Sequence, residues 1–107
     1  MTPSLKLSTV AHLGGTRISV GFNNGRSGVA DLRELLHGPL LAPLRSNERF
    51  NEFKLSPELG TIAWPNGADL APEAIYFQAF RNDPTLQSTF ESWGYLGASG
   101  ATGESQR

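Results

Sequence analysis

Few residues in this 107-residue chain have types that could do chemistry. The candidate acids are Asp31, Glu34, Asp69 and Glu73, and the only imidazoles are His12 and His37. Neither histidine has a partner four residues away and there is no cysteine, whereas zinc takes three or four ligands of these types. The pattern therefore predicts no metal and no cofactor. A nucleophilic serine or threonine needs a base held by a third group. No Gly-x-Ser-x-Gly is present, and the serines fall in turns, on strand faces or in the tail. The glycine-rich stretches Gly14–Arg17 (GGTR) and Asn23–Gly28 (NNGRSG) do not lead from a strand into a helix, so they read as hairpin turns and not as phosphate cradles. No catalytic residue is assigned.

The most distinctive stretch is IAWPNGADLAPEAIY, Ile62 to Tyr76. Trp64, Asn66 and Asp69 could line a ligand pocket there. Each residue also has a structural reading. Trp64 closes a strand, and Pro65 lacks the amide that another ladder bond would need. Asn66-Gly67 suits positive φ in a tight turn, and Asp69 suits an Asx turn. Pro72 fits the first position of a helix and Glu73 its positive end. Asp31 and Glu34 likewise sit where they would open a helix, which favours capping over catalysis.

These residues need elements to position them. Odd-numbered apolar residues from Leu5 to Leu13 predict a strand with Val10 off the pattern, and Arg17–Phe22 alternates cleanly. A short strand at Ser27–Ala30 completes an antiparallel meander. Asp31 then opens a helix of about two turns, which Gly38-Pro39 ends. Leu40, Leu41 and Leu44 are too apolar for a free connector and are expected beneath the sheet. Phe50–Leu55 and Thr61–Trp64 read as further strands, and Pro72–Arg81 as a second helix with Ile75, Tyr76, Ala79 and Phe80 inward. The expected fold is a small single α+β domain, with a mainly antiparallel sheet of about five short strands and two short helices. It spans residues 1–82. Residues 83–107 form a C-terminal extension whose last part, Gly97–Arg107, has no large apolar side chain and is expected to be disordered.

The surface gives the remaining signals. Net charge is −1 with acids and bases interspersed. A nucleic-acid partner is therefore disfavoured, because phosphate contacts need several unopposed cations. No apolar run approaches the ~20 residues of a membrane span, and no signal peptide is evident at the start. A cytoplasmic location is expected. Phe77 projects off the apolar stripe of its helix, and Trp93, Tyr95 and Leu96 stand beside the polar tail. Such aromatics either fold back on the domain or meet another chain.

The order "VGFNNG", "DLRELL" and then "PLRSNERFNEFKLSPELGTIAWPNGADLAPEAIY" resembles a small bacterial family, domain of unknown function 2442, over about residues 13–76. The block from Thr61 to Tyr76 is its most specific part, although Ile75 stands where leucine is usual. The resemblance implies a small α+β fold and transfers no catalytic residue. It also implies that such a protein can be encoded beside a second small protein, in an arrangement like a toxin–antitoxin pair. An added helix-turn-helix found in some members is not expected here, because Pro84, Gly94, Gly97 and Gly100 interrupt the region after Arg81. The reading is a non-catalytic module that binds a protein partner or itself, through a sheet edge or through Phe77, Trp93, Tyr95 and Leu96. The alternatives are a ligand-binding protein or enzyme with a pocket near Trp64–Asp69, and a nucleic-acid adaptor.

Overall fold

A computed structural model describes residues 4–95 of the chain. Leu96 and the Gly97–Arg107 tail lie outside the described residues. The fold is the expected α+β class, with its five antiparallel strands divided between two sheets. The first is the meander β1 (Leu7–Gly14), β2 (Arg17–Phe22) and β3 (Ser27–Asp31). The second is the hairpin β4 (Lys54–Ser56) and β5 (Thr61–Ala63). Leu7 N donates to Gly60 O across the two at 2.8 Å. This approach requires glycine: Gly60 has φ +69°, and a Cβ there would meet Lys6 Cγ at 2.7 Å.

Alternation places Ile18, Val20 and Phe22 in the core, as the pattern of β2 requires. β1 departs from its expected phase. The pairing slips between Leu7 and Thr9, so Leu7 is buried but Val10 and His12 then turn inward, while Ala11 and Leu13 face solvent. One bulged residue reverses every side chain beyond it, which is why Val10 breaks the sequence period. His12 lies against Phe50 with ring centroids 5.4 Å apart, and its Nε2 donates to Gly15 O at 2.9 Å.

The two-turn helix expected after Asp31 is a single 3₁₀ turn, Arg33–Leu35. Asp31 is not its cap, a position held by Leu32; it stands one residue earlier and accepts from Arg33 N at 3.0 Å and from Thr16 Oγ1 at 2.7 Å. Glu34 does not reach back to complete a capping box. It accepts instead from Arg81 at 2.9 Å, so no capping box forms. Leu32 and Leu36 are fully buried on either side of the turn. In the connector only Leu44 is buried; Leu41 is half-buried and Leu40 exposed. A second 3₁₀ turn (Ala42–Arg45) leads into α1 (Asn47–Phe50), which takes Phe50 from the predicted fourth strand, so that the strand begins only at Lys54.

α2 (Pro72–Phe80) carries Ile75, Tyr76 and Phe77 into the core. The chain then forms a 3₁₀ turn at Pro84–Leu86 and a further helix, α3 (Gln87–Trp93), which the sequence reading did not anticipate. Pro84 and Gly94 bound these turns instead of breaking them. Pro84 occupies the first position, where a missing N–H costs nothing. Gly94 takes φ +87° as the left-handed cap, and Tyr95 N closes onto Phe90 O at 2.9 Å. Phe90 is 0% exposed, so part of the expected C-terminal extension belongs to the core. Among the described residues no helix is long and apolar enough to cross a membrane.

Candidate functional site

The residues from Trp64 to Pro72 make a joint in which the polar groups are already engaged. Trp64 is buried and its Nε1 donates to Phe50 O at 2.9 Å, a bond that ties β5 to α1. Pro65 and Asn66 form the centre of a turn closed by Gly67 N to Trp64 O at 3.0 Å, with Gly67 at φ +92°. The Asx bond expected of Asp69 belongs to Asn66, whose Oδ1 accepts from Ala68 N at 3.0 Å. The reason is position: Asn66 stands two residues before an amide left free by the turn, whereas Asp69 pairs its backbone with Ala63 and its side chain is exposed. Asn66 Nδ2 donates to Leu40 O at 2.9 Å, and buried Thr61 donates to Leu70 O at 2.6 Å. A shallow recess of about 340 Å³ touches Trp64 and Pro65, with Glu52 and Lys54 at its rim, but neither Asn66 nor Asp69 lines it. The three groups that could have formed a pocket therefore do not converge on one.

A larger groove of about 440 Å³ lies elsewhere, between the β2–β3 turn, α2 and α3. Its first wall is built by Asn23 and Asn24. Asn23 clamps the segment before β1 by donating to Ser4 O at 2.7 Å and accepting from Lys6 N at 3.0 Å, which places Leu5 beside the groove. Asn24 Nδ2 donates to the Tyr76 hydroxyl at 3.3 Å. Tyr76 and Glu73 of α2 form the second wall, one helical turn apart. Leu86, Thr89 and Trp93 form the third.

The third wall is positioned by an aromatic stack. Phe90 lies edge-on to Phe77 at 5.0 Å and edge-on to Trp93 at 5.9 Å. Trp93 in turn reaches Tyr76 at 5.8 Å. Tyr95 stacks on Phe77 at 5.1 Å, and the Arg81 guanidinium lies 5.1 Å from the Phe77 ring. Phe77 is thus covered by its own chain and is not an exposed contact residue. Its departure from the apolar stripe is explained by α3, which gives α2 a second buried side. Trp93 and Tyr95 retain 38% and 37% exposure. Burial pushes the Tyr95 phenol above its usual range, with a further push from the Glu73 carboxylate.

Asp83 holds the approach to α3. Its carboxylate accepts from Thr85 Oγ1 and N, and pairs with Arg26 at 3.1 Å. Those bonds hold it below the ordinary carboxylate range. Of the residues that line this groove, the sequence reading names only Trp93 as a contact residue; Tyr95 lies beside the groove, and Asn23, Asn24, Leu86 and Thr89 are given no part in a contact. A capped helix start at Asp83-Pro84-Thr85 was the signal that could have placed α3. Among the described residues, no three His, Asp or Glu side chains form a cluster that could hold a metal ion.

The family described as "Protein of unknown function (DUF2442)" matches residues 7–81, from β1 through α2 and Arg81. The chain belongs to it. The DUF2442 match thus supplies two walls of the groove, while Leu86, Thr89 and Trp93 lie beyond it. Among solved structures, the fold is similar to that of a Nitrosomonas europaea ATCC 19718 protein described as a "Putative DNA Binding Protein". The TM-score is 0.65 at 19% identity, over 90% of this chain and 64% of that one. This chain therefore spans less than two thirds of that protein's length, and the likeness is one of fold. No curated protein matches the chain.

Proposed function

We propose that this DUF2442 domain is a non-catalytic protein-interaction module whose docking surface is the groove between the β2–β3 turn, α2 and α3. The observation that carries this reading is the half-exposed Trp93 standing on a buried aromatic stack. Its position is held by Phe90, so little side-chain freedom remains to be lost on binding. A rigid aromatic beside a recess is the usual form of an interface anchor. Among the described residues that line the groove, Glu73 alone is charged, which makes the recess acidic. The groove thus suits a partner segment with one large apolar side chain followed closely by Lys or Arg. A small protein encoded next to this one, as in a toxin–antitoxin-like pair, is the proposed source of that segment.

The test is to purify the chain with its genomic neighbour and measure the affinity by calorimetry. Trp93→Ala should weaken binding at least tenfold, and Glu73→Gln a few-fold with reduced salt dependence. Unchanged affinity in both variants, or no complex with the neighbour, overturns the reading.

A nucleic-acid adaptor is the second reading, supported by the description of the Nitrosomonas europaea protein. Against it, Arg26 and Arg81 are paired with acids and the Arg45 Nε donates to Leu36 O at 2.7 Å. Steeply salt-dependent binding to DNA or RNA would favour this reading, and its absence at low salt removes it.

A further inference from the structure

β3 is an edge strand whose free side can be read residue by residue. Phe22 N donates to Arg26 O at 2.8 Å and Leu32 N to Thr16 O at 2.9 Å. With the register Ile18↔Ala30 and Val20↔Gly28 between them, the main chains of Gly28 and Ala30 face β2. The N–H and C=O groups of Ser27, Val29 and Asp31 therefore face away from the sheet. They have no hydrogen-bond partner among the described residues, and all three residues are exposed, Val29 by 52%. Such a row is a template for another strand.

We propose that β3 pairs antiparallel with β3 of a second copy, about a two-fold axis at Val29, to make one continuous six-stranded sheet. The occupant follows from the register. An axis at Val29 sets Val29 opposite its own copy and Ser27 opposite Asp31. Every outward residue then meets an outward residue, and all of their outward N–H and C=O groups become paired. The side chains agree with this register. Ser27 has a hydroxyl with no partner among the described residues. The two bonds that Asp31 accepts, from Thr16 and Arg33, both fall on Oδ1, which leaves Oδ2 to accept from the second copy's serine. No like charges oppose each other in this register, and the row Ala11, Ser19, Val29 continues uncharged into its mate. A one-residue slip would set inward-facing main chains against outward ones and lose the pairing.

The contact is small, so association in the micromolar to millimolar range is expected. It uses a different surface from the groove and does not depend on the function proposed for it. The test is sedimentation equilibrium of the chain alone over that range, together with amide exchange. The mass should rise towards twice 11.5 kDa with concentration. Over the same range the Val29 amide should slow about tenfold while Gly28 and Ala30, already bonded to β2, do not change. Val29→Lys should keep the chain monomeric with an unchanged melting temperature, since the side chain is exposed and a lysine blocks edge pairing. Should that variant fold poorly, the wild-type exchange pattern decides alone. A monomer at all concentrations, or a dimer whose Val29 amide exchanges as fast as in the monomer, overturns the proposal.

Discussion

The joint at Trp64–Pro72 and the groove beneath Trp93 both display a tryptophan, an asparagine and an acid, and the asparagines are bonded within the chain in both, yet they differ in what the tryptophan has left to offer. In the joint, the Trp64 indole and both ends of the Asn66 amide are bonded within the chain. In the groove, Trp93 is fixed only by ring contacts and presents an open face, with Glu73 beside the same recess. Polar groups satisfied internally stabilise the fold and cannot also hold a ligand without losing that stability. The difference separates residues that make a stretch of sequence distinctive from residues that remain free to bind.

Four substitutions can break or sharpen that comparison. The largest effect is expected at Phe90, which belongs to the groove's support and not to its surface. Phe90→Ala should cost ~3–5 kcal/mol in thermal or denaturant unfolding and release Trp93 into solvent, read as a red shift of its fluorescence. A loss below ~1 kcal/mol would mean that α3 is not part of the core. Next, Trp64→Phe removes the shorter of two bonds to Phe50 O and leaves only the one from Phe53 N at 3.3 Å, at a cost of about 1–2 kcal/mol with the lost ring volume. If the stability is untouched, the joint is not the brace described above.

Thr16→Val lies outside both regions and calibrates what one side-chain bond to a carboxylate contributes. The Thr16 hydroxyl is the main cause of the depressed pKa of Asp31; burial, the next largest effect, opposes it, and the Arg33 amide and the nearby Arg17 and Arg33 charges lower it further. A carboxylate with a lowered folded-state pKa contributes stability above its unfolded pKa, and this is lost as pH falls through the folded value. The variant should therefore be less stable by ~1 kcal/mol or less near neutrality, given solvent screening, and the gap should close in acid. Its Asp31 should titrate closer to an ordinary aspartate by NMR. Trp93→Ala should cost less stability than Phe90→Ala, about 1–3 kcal/mol, because the ring packs on Phe90 and Tyr76 but is partly exposed. Its binding defect should be the largest of the four, and a stable variant that still binds the neighbouring protein ends the contrast drawn here.

Much of the scaffold was legible because period and turn chemistry act locally. Ile18, Val20 and Phe22 announce β2, and Pro72 with its apolar stripe announces α2. The errors arose where one residue changes the count or where distant chain decides the outcome. The slip after Leu7 inverts β1, and Val10, off the alternation, is its one local trace without showing where the extra residue sits. Glu34 completes a capping box on paper, but Arg81, far along the chain, offers a stronger partner. Phe77 looked stray because its cover, α3, was hidden behind Pro84 and Gly94, which were taken for interruptions and are its boundaries. The groove was legible only in Trp93, since its other walls depend on a hairpin turn meeting two helices.

The clamp by Asn23 has a temporal consequence. It fastens Ser4 and Lys6, and so Leu5, on one side of the groove, while Trp93 comes from the opposite end of the described chain. The meander can form from neighbouring residues, but the recess does not exist until α3 has been synthesised and Phe90 has docked. Contacts between the earliest and latest residues form slowly, and domains assemble as the chain emerges. A partner that reads Trp93 against Leu5, as proposed above, would therefore meet only chains in which α3 has already docked.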